Sequence, residues 1–133
     1  HLRTRRQRQM CIRDRGLIDL GLLCGDADGV IERGDYRHLY MHRTGHWLGL
    51  DVHDVGAYRL GEKPANLSEG MVLTVEPGLY VSDRLAVPEG QPMIDDRWKG
   101  IGIRIEDDVA VTDGGCEVMT AGALKSVEAM ERP

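Results

Sequence analysis

Cysteine is scarce in this chain of 133 residues: Cys11, Cys24 and Cys116 are odd in number, widely scattered and form no Cys-x-x-Cys pair. Their scarcity excludes a disulfide framework and a thiolate zinc site, and a reducing, cytoplasmic setting is expected. No apolar stretch approaches the length of a membrane span, so no membrane partner is expected. Aromatic residues make up only 5% of the chain, and none is interleaved with the arginines near its start. Without rings to stack on bases, that basic stretch is not read as a nucleic-acid-binding segment. It also lacks an apolar central region and an initiating methionine, so it does not read as a secretory signal.

The charge that is present is unevenly distributed. Residues 1–15 carry six arginines against Asp14, a local charge of +5 that leaves −10 for the remainder. We expect 1–15 to be a non-native or disordered basic arm. Its ending, Met10-Cys11-Ile12-Arg13-Asp14-Arg15, is like translated sequencing adapter, which would place the native start near Gly16, in mid-chain. The length suits one structural unit, over 16–133.

Leu17, Leu20 and Leu23 are spaced by three, predicting the end of an amphipathic helix that closes near Gly25 and lacks its upstream turns. Asp28 to Arg33 reads as a second short helix stopped by Gly34, and His38 to Met41 as a short strand. Gly56 to Gly70 is a surface excursion ahead of the apolar strand Met71–Val75, which delivers Glu76 at its end, where Pro77 stops the ladder. Leu79-Tyr80-Val81 resumes an extended run, and Ser82 to Lys99 is a loop. From Gly100 to Val111, isoleucines alternate with Gly102, Arg104 and Glu106, predicting a strand with Arg104 and Glu106 on one face. Asp113-Gly114-Gly115 is a turn signal between Val109–Thr112 and Cys116–Thr120, and Ser126 to Arg132 is weakly helical.

Glu76 and Glu106 sit in segments rich in β-branched residues, where an inward carboxylate is costly unless a cation compensates it. Each could instead face solvent at a strand end. Four histidines fall within His38 to His53, and His46 is flanked by Gly45 and Gly49, which let backbone approach closely. A lone histidine is ordinarily a hydrogen-bonded core or surface group; four in sixteen residues are harder to assign that way. His42 and His46 have the spacing of a helical zinc motif. Gly45, the extended pattern upstream and the lack of a Glu after His42 exclude a His-Glu-x-x-His protease.

The segments Met41-His42-Arg43-Thr44-Gly45-His46-Trp47-Leu48-Gly49-Leu50-Asp51-Val52-His53-Asp54-Val55-Gly56, Gly70-Met71-Val72-Leu73-Thr74-Val75-Glu76-Pro77-Gly78-Leu79-Tyr80 and Gly100-Ile101-Gly102-Ile103-Arg104-Ile105-Glu106-Asp107-Asp108 resemble, in order and spacing, those of Xaa-Pro aminopeptidases (aminopeptidase P). The resemblance runs from about Gly16 to the C-terminus. It implies an α+β pita-bread fold, a curved antiparallel sheet with flanking helices, here its C-terminal portion. It further implies two divalent ions, usually Mn2+, with His46, Glu76 and Glu106 as ligands and Glu106 bridging, in agreement with the preference of hard cations for oxygen. Glu76 would also receive a proton as metal-bound water attacks the scissile carbonyl. His53 would donate to the carbonyl oxygen, His42 would line the pocket for the proline side, and Arg104 with Tyr80 would hold a ligating carboxylate in place.

The implied substrate is a peptide with proline at the second position, and the parent enzyme would be a candidate homo-oligomer. The family also supplies two aspartate ligands and a further catalytic histidine from the region that the arginine-rich arm occupies here. The chain is therefore expected to be part of the enzyme and inactive alone. Arg43-Thr44 departs from the family's small or apolar residues, which affects the pocket near His42. Two alternatives stay open: prolidase, which cleaves only dipeptides, and a metal-free pita-bread binding module.

Overall fold

In the computed structural model, which describes residues 13–131, α1 runs over 13–19 and is followed by Gly21, whose φ of +72° suits a residue without Cβ. The amides of Leu22 and Leu23 both return to the carbonyl of Leu17, closing the helix end. The upstream turn expected to be missing is partly there. Residues 13–15 are helical, and Asp14 is fully buried with Arg13 Nε donating to its carboxylate at 2.7 Å. The Arg13 guanidinium also lies 3.8 Å from the ring centre of Tyr36. Residues 1–12 of the expected basic arm, and Arg132, lie outside the described residues.

The described residues group into two compact units, each built from two stretches of chain. The first comprises 13–41 with Leu79–Ile103, and the second His42–Gly78 with 104–131. In the first, Asp26 caps α2 (Ala27–Arg33), accepting from Gly29, and Gly34 ends it in the left-handed conformation with its N–H bonded to Val30 and Ile31 carbonyls. The expected strand His38–Met41 does not form. Its first residue ends a 3-10 turn, Asp35–His38, because the His38 ring bonds back to the carbonyl of Asp35 and favours the tight local turn. Leu17, Leu22, Leu23, Val30, Leu39, Val81 and Ile94 form the buried cluster of this unit.

The second unit holds a hairpin, β1 (Arg59–Leu60) with β2 (Lys63–Pro64), inside the expected surface excursion, turning at Gly61 with φ +62°. Its main sheet has the order β3 (Val72–Val75), β6 (Asp107–Thr112), β7 (Gly115–Val118), antiparallel throughout. β4 (Gly78–Tyr80) pairs with β5 (Gly102–Arg104). The strand expected over Gly100 to Val111 is therefore two, broken at Ile105 and Glu106, where the Ile105 amide donates to the Pro77 carbonyl at 3.2 Å instead of extending a ladder. Asp113-Gly114 turns β6 into β7, and Ser126 caps the short α3 (Val127–Met130).

Candidate metal centre

The free edge of β3 is taken by residues 44–48. Glu76 N–H donates to Thr44, Thr74 N–H to His46 and Leu48 N–H to Val72, with Trp47 bridged antiparallel to Leu73. Side chains alternate between faces of a sheet with a period of two. The register sets His46 opposite Thr74 on one side; on the other, Thr74 is opposite Asp108 and Val75 opposite Asp107, so Glu106 follows opposite Glu76. His46, Glu76 and Glu106 thus share a face, and His42 and Arg104 approach Glu76. The four-residue spacing of the two histidines, which also fits a helix, here works in an extended chain.

Close approach makes this pairing possible. A Cβ on Gly45 would stand 2.0 Å from the Thr74 carbonyl oxygen, so only glycine fits. Thr74, buried at 2% exposure, accepts the His46 N–H on its hydroxyl at 3.0 Å while its own N–H bonds the His46 carbonyl. This locking of the histidine backbone was not read from the sequence, since a threonine within an apolar strand gives no signal of it. The loop after His46 is held by Asp54, whose carboxylate accepts from Leu50 and Val55 N–H.

The carboxylate of Glu76 is only 11% exposed and is ringed by cationic or titratable groups: Arg104 Nη1 at 3.7 Å, His46 Nε2 at 3.6 Å and His42 Nδ1 at 3.8 Å. Arg104 Nε also stands 3.6 Å from Glu106. His46 Nδ1 donates to the Trp47 carbonyl at 2.9 Å. A carbonyl only accepts, so that nitrogen carries a proton, and Nε2 is the atom turned toward Glu76. Their separation of 3.6 Å is too long for a hydrogen bond, whereas ligands about 2.1 Å from one small divalent ion stand at about that separation.

One ligand atom from each of His46, Glu76 and Glu106 lies within 4.8 Å of the others, a donor set of one imidazole and two carboxylates that fits a hard divalent cation. The His53 ring meets that of His46 edge to face at 4.2 Å. Arg104 thus reaches both carboxylates. Tyr80 belongs to the first unit, where its N–H donates to Leu39 and its ring lies 3.0 Å from where a Gly102 Cβ would be.

Behind Glu106, on the opposite side of the strand, Asp107 is bonded by the Lys125 ammonium and by the Thr120 hydroxyl, the latter at 2.7 Å. These two groups, the lysine first, hold its carboxyl below the usual carboxylate range. The sequence alone carried no sign that Lys125 returns to this strand.

Residues 17–113 match metallopeptidase family M24. Two curated relatives are similar to most of the chain. The Xaa-Pro aminopeptidase of Haemophilus influenzae is 49% identical over 120 residues, 90% of this chain and 26% of its own, and that of Escherichia coli is 49% identical over 117 residues, 87% and 24%. Among solved structures, Pseudomonas aeruginosa aminopeptidase PepP has a TM-score of 0.80 at 50% identity, covering 90% of this chain and 26% of that one. Aminopeptidase P from E. coli with the inhibitor Pro-Leu has a TM-score of 0.77 at 46% identity, covering 92% and 26%. The chain spans about a quarter of the length of the curated relatives it matches. Its fold is part of their α+β pita-bread architecture, and the chain belongs to metallopeptidase family M24.

Proposed function

We propose that the chain is part of a dinuclear-metal aminopeptidase that hydrolyses the bond between an N-terminal residue and a following proline. The observation that carries this reading is the convergence of His46, Glu76 and Glu106 on one sheet face, in a chain similar to Xaa-Pro aminopeptidases. These three residues would hold divalent ions, Mn2+ by preference, since carboxylate-rich sites with one imidazole suit hard cations. Such ions, when bound, acidify water and polarise a carbonyl.

The chain's own groups supply the rest. Glu76, enclosed by His42, His46 and Arg104, accepts a proton on its carboxylate. His53, beside His46, donates to the carbonyl oxygen as negative charge grows there. His42 lines the side that receives proline. Arg104 holds the two glutamates in place from between them. The exposed thiols of Cys24 and Cys116 support a reducing, cytoplasmic setting.

Three ligands with two carboxylates offset little of the repulsion between two adjacent dications. The chain alone is therefore expected to cleave no Xaa-Pro peptide in Mn2+, whereas a form extended upstream with native sequence cleaves it. Turnover by the chain alone would overturn the inactivity, and none by the extended form the peptidase assignment. A tripeptide and a dipeptide offered to the extended form separate aminopeptidase from prolidase.

A further inference from the structure

Glu106 occupies an unusual place for a residue whose aim matters. It lies in the break between β5 and β6, just outside the last paired rung of the main sheet, Val75 opposite Asp107. Its two successors are also acids, Asp107 and Asp108. A twist of this terminal rung would bring Asp107 toward the face that Glu106 occupies, and the apolar pattern of β6 offers little resistance. Val109, Ala110 and Val111 are all half-buried, so neither face of the strand is strongly preferred by burial.

Asp107 is tied down instead by polar contacts. The Lys125 ammonium bonds both its carboxylate and, at 3.1 Å, the Thr120 carbonyl. The Thr120 hydroxyl donates to the same carboxylate oxygen at 2.7 Å and accepts the Asp108 N–H at 3.0 Å. The Met119 N–H closes the assembly on the Asp108 carbonyl at 2.8 Å. Successive side chains of an extended chain point to opposite faces, so anchoring Asp107 on one face directs Glu106 to the other.

We infer that Lys125, with Thr120, is a positioning residue for the metal centre: by holding Asp107 on the far face it determines that Glu106, and not its neighbour Asp107, is offered to a divalent cation. The inference rests on the reading of His46, Glu76 and Glu106 as metal ligands. Its structural half, the anchoring of the rung, does not.

The test uses the full chain and the variants Lys125→Met, Lys125→Arg, Thr120→Val and Lys125→Met combined with Asp107→Asn. The Val75–Asp107 rung is followed without metal by cross-strand NOEs, and Mn2+ affinity by the EPR signal of the free ion. Lys125→Met should lose the rung NOE and weaken Mn2+ binding about tenfold, the loss typical when a group supporting a ligand is removed. Lys125→Arg should keep both, and the double variant, in which residue 107 no longer offers a carboxylate, should regain most of the affinity. A role confined to stability would leave the double variant as weak as Lys125→Met.

An intact rung and unchanged affinity in Lys125→Met overturn the inference. Should Lys125→Met fail to fold, Thr120→Val, which removes only the hydroxyl, carries the same comparison. If the unsubstituted chain takes up no Mn2+, the metal reading and the choice among acids fall together, and the NOE alone decides whether Lys125 anchors the rung.

Discussion

Gly45 and Thr74 show how a single atom decides whether the site face assembles. The backbone of residue 45 passes so near the Thr74 carbonyl that a methyl group at Gly45 has no space, and the obstacle is main chain, which cannot swing aside. Gly45→Ala is expected to destabilise the chain by about 3 kcal/mol, the upper range for overpacking, and to detach residues 44–48 from β3. Urea denaturation measures the first effect and amide exchange at Thr74 and Glu76 the second. Protected amides in a variant of unchanged stability would refute the close contact. The glycines beside His46 were legible in the sequence as signs of close approach. Which backbone approaches, and from where, was not, since the partner comes from a remote strand.

Short elements here are set by their ends. Asp26 and Gly34 bracket α2, and Asp113-Gly114 turns β6 into β7; all are local chemistry, and the Gly34 stop and the turn were readable in advance. His38 was misread because strand pattern is a weak signal over four residues, and a ring-to-carbonyl bond three residues back outweighs it. Burial holds the His38 imidazole below its ordinary pKa of 6.5, more than the Asp35 carbonyl and charge raise it, and its buried Nε2 has no hydrogen-bond partner among the described residues. The folded chain therefore resists the proton that the unfolded chain accepts. Stability should be full above the ordinary value and decline as pH falls from there toward the depressed one. Thermal unfolding at about pH 7.5 and pH 5.5 should show a smaller decline in His38→Asn, whose amide can still donate to Asp35. Equal declines would remove His38 as the cause.

At the scale of the whole molecule, the apolar cluster and the candidate site belong to different units. The fully buried large side chains lie in the first, whereas Thr74 and Glu76 are the buried polar residues of the second, whose β7 is exposed along its length. Leu39→Ala, at a position with no exposure, should cost about 3 kcal/mol in urea denaturation. Val118→Ala, at 39% exposure, should cost less than about 1 kcal/mol. Similar costs would contradict this division.

The residue types available for chemistry, the hairpin turn and the Gly34 helix stop were already written in the local sequence, because these depend on neighbours within a few positions. Through motif resemblance it also pointed to the family. That His46, Glu76 and Glu106 share a face and that Lys125 returns to Asp107 follows from the fold alone. Those outcomes depend on the pairing register of strands far apart in the chain, and a shift of one residue would turn each side chain to the other side.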